Sequence, residues 1–325
     1  MAIARRKMGR TDLSISEIGF GAWQIGGDLW GPVDDGESVA ALKRAIDLGI
    51  NFFDTAAVYG NGRSEKLLGR ALRESGLKDA VILTKIPSTA RQWPPDPDTP
   101  ADEAFPAHHI RSSVERSLKN LGRERVDVVL LHVWLDAWTD AGEWHVALEA
   151  LKSEGKIGHH GISVNTFRSG SVVRAVRRKR TEIVEVVHNI FEQAPEDKLY
   201  PAATAAGCGI IARVPLDESS LTGRLTPATK FHKGEFRERY FAGDRLGRTV
   251  DRVEKLRWLV PDHAPTLTDA ALRYCLSHDA VSSVIPGMRS VAQVEQNVEA
   301  SARGALPPEV LVRLRAHRWD RTPDW

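Results

Sequence analysis

The 325 residues predict an α/β protein folded as a (β/α)8 barrel, with a short N-terminal hairpin and long loops at its C-terminal face. Three observations carry this expectation. Short apolar segments rich in β-branched residues recur eight times, amphipathic stretches separate most of them, and no linker, repeat or low-complexity tract divides the chain. Unbroken apolar runs fit strands buried on both faces of a parallel sheet. A doubly wound sheet shares the alternation of strand and helix, but the count of eight favours the barrel. Residues 1–325 are therefore expected to form one domain.

Taken in order, the leading ARRKMGRTDLSISE reads as a small hairpin covering the barrel floor. The strands follow as SEIGFGAW near 16–23, INFFDTA near 50–56, AVILTKI at 80–86 and VDVVLLH at 126–132. IGHHGISV at 157–164, IVEVVHNI at 183–190, CGIIARV at 208–214 and AVSSVIPG at 280–287 complete the set. Between them ESVAALKRAIDLG, SEKLLGRALRESG, IRSSVERSLKNLG and EWHVALEALKSEG place apolar residues three and four apart, with Gly near their ends, which predicts crossover helices. Two connections are long. Residues 87–109 carry six prolines and read as neither helix nor central strand, and residues 215–247 are polar with Gly and aromatics. Both follow a strand, so both overhang the C-terminal face.

Composition narrows the function. With 42% hydrophobic and 27% charged residues and a net charge of +2, nothing points to nucleic acid or a membrane surface, and a small molecule is the expected partner. The only cysteines, Cys208 and Cys275, are too few for a disulfide framework and suit a reducing compartment. The basic N-terminus lacks a following apolar segment and no stretch is long enough to span a bilayer, so a cytoplasmic location is expected.

A barrel selects the reactive side chains at or just past its strand ends. Asp54 ends the second strand, Tyr59 follows five residues later, Lys85 ends the third and His132 the fourth. Each alone has a bland explanation, as a turn cap, a core ring or a half-buried histidine. Together they make an acid: an ammonium at Lys85 would lower the phenol pKa of Tyr59 from ~10, Asp54 would keep the lysine charged, and His132 could donate to a bound carbonyl oxygen.

The stretch NFFDTAAVYGNGRSEKLLGRAL at 51–72, Lys85, and His132 in LLH resemble the signature and catalytic tetrad of the aldo-keto reductase superfamily. GKIGHHGIS at 155–163, PLDESSLTGR at 215–224 and VIPGMRSVAQVEQN at 284–297 extend the likeness over nearly the whole chain. The resemblance implies an (α/β)8 barrel, NAD(P)H bound across its mouth with NADPH expected from the 284–297 segment, and carbonyl reduction with Tyr59 as proton donor. It implies cofactor contacts from Trp23, Ser163, Asn165, Glu185, Arg213, Pro215, Leu216, Leu221, Thr222, Gly223, Arg224, Ile285 and Gly287, and from Arg289, Gln293, Gln296 and Asn297. Arg289 stands where a helix opens at Ser290, and a guanidinium there can bind a 2′-phosphate. Trp30, Trp93 and Trp134, with Trp23, could wall the site of an aromatic or extended apolar substrate.

Several positions depart from the family pattern. Ser163-Val164-Asn165 stands where many members have Ser-Asn, Glu185 where glutamine is usual, His188-Asn189 where Tyr-Asn is usual, and Arg213 where a ring often stacks on nicotinamide. An ionised Glu185 can accept a hydrogen bond but not donate one, while the planar Arg213 could also stack. Other signals are weaker. Gly207–Ala212 fits a dinucleotide G-x-G-x-x-A pattern but enters a strand, and His108-His109 and His159-His160 lack zinc-motif spacing, so no metal is indicated. The basic run at 174–180 reads as a solvated helix face. The rival reading is a cofactor-sensing regulatory subunit with slow turnover, since the same scaffold serves channel-associated β subunits; a metal-dependent hydrolase lacks its ligand cluster.

Overall fold

The computed structural model describes residues 3–321, so the outermost residues of the expected 1–325 domain lie outside the described chain. Strands β1 (Arg5–Lys7) and β2 (Ser14–Ser16) pair antiparallel as the N-terminal hairpin. Then follow β3 (Phe20–Gly21), β4 (Phe52–Asp54), β5 (Val81–Ile86), β6 (Val126–Leu131), β7 (Ile157–Ser163), β8 (Ile183–Val187), β9 (Gly209–Arg213) and β10 (Val281–Ile285). These eight pair in parallel with their neighbours in chain order. Parallel bridges Ile18–Val284 and Gly21–Gly287 join the first to the last, giving a (β/α)8 barrel. Each apolar segment read from the sequence contains one of these strands, trimmed at its ends.

Helices α1 (Asp35–Asp47), α2 (Arg63–Ser75), α3 (Ala101–Ala104), α4 (Ala107–Leu121), α5 (Trp144–Ser153) and α6 (Val173–Arg177) cover the first strands. They continue as α7 (Pro195–Ala206), α8 (Phe236–Tyr240), α9 (Arg245–Glu254), α10 (Leu267–Leu276), α11 (Val291–Arg303) and α12 (Pro308–Leu314). Side-chain caps start several of them: Asp34 accepts from Glu37 N at α1, Thr266 from Asp269 N at α10, and Ser290 from Gln293 N at α11. Left-handed Gly76 and Gly122 end α2 and α4.

The proline-rich connection is not free of helix, contrary to the sequence expectation. It holds α3, and α4 begins at Ala107, three residues before the predicted start. Pro100 and Pro106 occupy the N-cap positions, where a missing N–H interrupts no helical hydrogen bond. Residues 215–247 likewise hold a short 3₁₀ turn (Ser220–Thr222), α8 and the start of α9. The basic run includes the end of α6, where Arg174 pairs with Asp136 and Asp140, and Arg178 with Asp140.

Alternate residues of the strands point inward. Phe52, Val81, Leu83, Val128, Leu130, Ile183, Ile211 and Ile285 pack with Met8 and Ile15 of the hairpin into one apolar cluster inside the barrel. The hairpin turn is pressed against β9: Gly9 has φ 55°, and a Cβ there would lie 2.3 Å from Gly209 N. The N-terminal end is thereby plugged, so a ligand site within the barrel has to open at the opposite end. No helix among the described residues is long and apolar enough to cross a membrane.

Candidate active site

The inward rows finish in polar groups. Asp54 continues the face of Phe52, Lys85 that of Leu83, His132 that of Leu130, Glu185 that of Ile183 and Arg213 that of Ile211, each two residues on. Closing the barrel gathers them at one mouth. Lys85 Nζ donates to Asp54 Oδ1 (2.5 Å), Thr55 O (3.1 Å) and the Tyr59 hydroxyl (3.3 Å), and lies 3.3 Å from Glu185 Oε2. Tyr59 reaches this cluster from the turn before α2. Gly60 there has φ 59°, and a Cβ would sit 2.2 Å from Gly26 O, so only glycine lets the turn lie against the loop after β3. Ser64 Oγ, bonded to Thr55 Oγ1, also donates to Ala22 O at 2.8 Å and ties the same two segments together.

Electrostatics correct one sequence expectation. Burial raises the Tyr59 pKa above its usual value, and the Asp54 and Glu185 carboxylates add to this, so the downward push from Lys85 is outweighed. The phenol therefore holds its proton at neutral pH. Burial also opposes the Lys85 ammonium, but Asp54 and Glu185 keep it charged, above its usual range. Burial and the neighbouring Glu185 push Asp54 above the usual carboxylate range, against the pull of Lys85. Burial, then Lys85 and Arg213, holds the His132 imidazole well below its usual pKa, which leaves it neutral.

These groups face a cavity of about 810 Å³. Trp23 stacks on Tyr59 with ring centroids 6.1 Å apart and meets Trp30 and Phe236 edge-on at 5.4 and 5.2 Å. Trp93, 54% exposed, stands edge-on to His132 at 5.0 Å, and Tyr59 stands edge-on to His132 at 5.9 Å. Trp134 adjoins the cavity, but its side chain is fully buried and packs edge-on against Trp138 and Trp144. Sequence reading missed Gln24, Phe236 and Arg239 among the lining residues. Phe236 and Tyr240, one helical turn apart in a loop read as irregular, were the available signal.

Residues 17–318 match the sequence model of the Aldo/keto reductase family. The chain belongs to this family. It is 30% identical to the L-galactose dehydrogenase of Arabidopsis thaliana, over 92% of this chain and 88% of that one. It is 26% identical to the NADH-specific methylglyoxal reductase of Escherichia coli, over 90% and 92%. Among solved structures, a holo-form aldo-keto reductase of Bacillus halodurans superposes with a TM-score of 0.77 at 26% identity, covering 99% of this chain and 98% of that one. The protein is an oxidoreductase of the carbonyl-reducing type.

Within this aldo/keto reductase the residues named for the cofactor divide in two. Trp23, Ser163, Asn165, Glu185, Arg213, Pro215, Leu216, Ile285 and Gly287 line the cavity. Leu221, Thr222, Gly223, Arg224, Arg289, Gln293, Gln296 and Asn297 do not; they continue from its edges along the 3₁₀ turn and α11. Leu221 is fully buried in the core, which leaves only its backbone for a ligand. Asn165 Oδ1 is occupied by Trp134 N at 2.8 Å, and Arg213 donates to Val164 O at 2.9 Å. His188 turns away from the cavity and bonds Glu196.

Glu185 has a second neighbour set beyond the expected cofactor contact. It accepts weakly from Ser163 Oγ (3.5 Å), contacts Lys85, and lies 3.8 Å from Arg213 Nε. Its charge raises both Asp54 and Tyr59, so Glu185→Gln lowers both pKa values. The basic limb of the kcat/KM profile is then expected at lower pH than in the parent enzyme. An unmoved limb would show that this carboxylate is not felt at Tyr59.

Proposed function

We propose that the protein is an NADPH-dependent reductase of aldehydes or ketones in which Tyr59 protonates the substrate oxygen. The observation that carries this reading is the single buried group in which Lys85 contacts Asp54, Glu185 and the Tyr59 hydroxyl at the cavity wall. The lining suits a nicotinamide cofactor: Gln24 Oε1 and Arg213 Nε are buried without hydrogen-bond partners at the cavity, polar groups that a carboxamide could pair. When bound, the reduced nicotinamide supplies the hydride. This chain's residues handle the rest. Tyr59, held protonated, donates as negative charge grows on the carbonyl oxygen, and the charged Lys85 steadies the phenolate left behind. Neutral His132 carries one ring proton and can donate it in a hydrogen bond that orients the carbonyl. Trp23, Trp30, Trp93 and Phe236 exclude water and favour aromatic or extended apolar substrates. An intact proton donor with its ammonium partner favours turnover over a regulatory role.

The preference for NADPH rests on Arg289. Its guanidinium makes no ion pair or hydrogen bond among the described residues, and it stands at the N-terminus of α11, whose free N–H groups and dipole favour an anion. Gln293 Oε1 accepts from Arg289 N at 2.9 Å and fixes the backbone at that entrance. The test is a panel of aromatic and small polar carbonyls, followed by loss of reduced-cofactor absorbance, with NADPH and NADH and with Arg289→Ala. We expect aromatic aldehydes to turn over best, and the variant's KM to rise roughly tenfold or more for NADPH alone. Equal losses for both cofactors would remove Arg289 from the 2′-phosphate, leaving the E. coli relative's NADH preference as the better guide.

A further inference from the structure

His188 stands in place of a family tyrosine yet does not serve the cavity. Its buried ring lies between α7 and α10, where Nε2 is 3.0 Å from Glu196 Oε1 in the first turn of α7. His278, between α10 and β10, brings its own Nε2 to 3.3 Å from the same oxygen, and the two imidazole centroids are 4.9 Å apart. Three ligand atoms from three separate segments thus converge within 4.8 Å of one another. We propose that His188, Glu196 and His278 form a binding site for a divalent transition-metal ion of the Zn²⁺ type, outside the catalytic cavity.

The ligand set and spacing fit. Zn²⁺ takes imidazole nitrogen and carboxylate oxygen at ~2.0–2.2 Å, which places tetrahedral ligand atoms roughly 3.3 Å apart. The two separations from Glu196 Oε1, 3.0 and 3.3 Å, match this spacing, and the two imidazole nitrogens lie within 4.8 Å of each other. The His278 Nε2 atom is buried yet makes no hydrogen bond of good geometry, as does the hydroxyl of Tyr200, whose ring packs 5.1 Å from His188 and 5.7 Å from His278. Buried polar atoms ordinarily have a partner, and a bound cation would supply one for the His278 nitrogen. Tyr274 donates to Glu196 Oε1 at 2.5 Å, the kind of outer hydrogen bond that orients a ligating carboxylate.

The Glu196 and His278 side chains are each 24% exposed, which provides an entry path. A second group, His145, Glu149 and His160, is the weaker candidate because its carboxylate is exposed.

The test uses the full chain, untagged and stripped with a chelator, titrated with Co²⁺ while its visible absorption is recorded, then with Zn²⁺ by calorimetry. We expect one equivalent of Co²⁺ to give the intense visible bands of a four-coordinate site. Glu196→Gln and His278→Ala, both at partly exposed positions, are expected to weaken binding at least ~10-fold. No such bands from the wild-type chain at millimolar Co²⁺ would overturn the proposal without recourse to any variant. Binding that persists unchanged in both folded variants would overturn it equally.

Discussion

Tyr59→Phe is expected to lower kcat by ~10²-fold or more while cofactor affinity stays within about twofold, because general acid catalysis contributes that much and the ring is otherwise preserved. The hydroxyl is the only atom removed. The phenyl ring still stacks on Trp23 and still meets His132 edge-on, so the cavity keeps its shape. Cofactor binding by fluorescence titration and turnover by reduced-cofactor absorbance separate the two effects. A variant with near-parental kcat would assign the proton to another group, and a variant with lost cofactor affinity would make the role of Tyr59 one of binding.

Lys85→Met is expected to cost turnover by a similar or larger factor and, unlike the tyrosine change, to cost stability. Lys85 is the buried cation between Asp54 and Glu185. Without it two carboxylates share a dry site, and breaking such an arrangement typically costs about 3–5 kcal/mol unless a proton is taken up. Tyr59 then also loses the neighbour that pulls its pKa down. Thermal melting should show the loss grow as pH rises and the carboxylates ionise. Adding Glu185→Gln to Lys85→Met should restore part of the melting temperature and little of the turnover. If Lys85→Met melted like the parent at every pH, the charges would not be coupled as described.

These residues also show how far the sequence carries the argument. Asp54, Lys85 and His132 were legible because each stands at the end of an apolar run read as a strand, and a barrel gathers such ends at one mouth. Tyr59 was placed only by its distance of five residues past Asp54, and the turn that brings it to Lys85 is seen in the fold. The contact between Glu185 and Lys85 was not legible: β8 and β5 are separated by β6 and β7, and their side chains meet only because the sheet curls closed. Nor could hydropathy distinguish Trp93, which is exposed at the mouth, from Trp134, which is sealed against Trp138 and Trp144. The sign of the Tyr59 shift failed for the same reason. Counting charges along the chain found the lysine, while burial and the second carboxylate are properties of the assembled site. His278 lies far along the chain from His188 and Glu196, which are themselves eight residues apart, so no local motif marks the three together.

The central claim is that this cavity transfers a hydride to a carbonyl carbon while Tyr59 protonates its oxygen. The most direct measurement supplies reduced cofactor deuterated at nicotinamide C4, on the face that is transferred, together with an aromatic aldehyde, and analyses the alcohol by mass spectrometry and NMR. The account predicts one deuterium on the carbinol carbon per cofactor oxidised, with formation of labelled alcohol slowed ~10²-fold or more in Tyr59→Phe. Alcohol formed without label, or labelled alcohol formed at the parental rate by Tyr59→Phe, would contradict it.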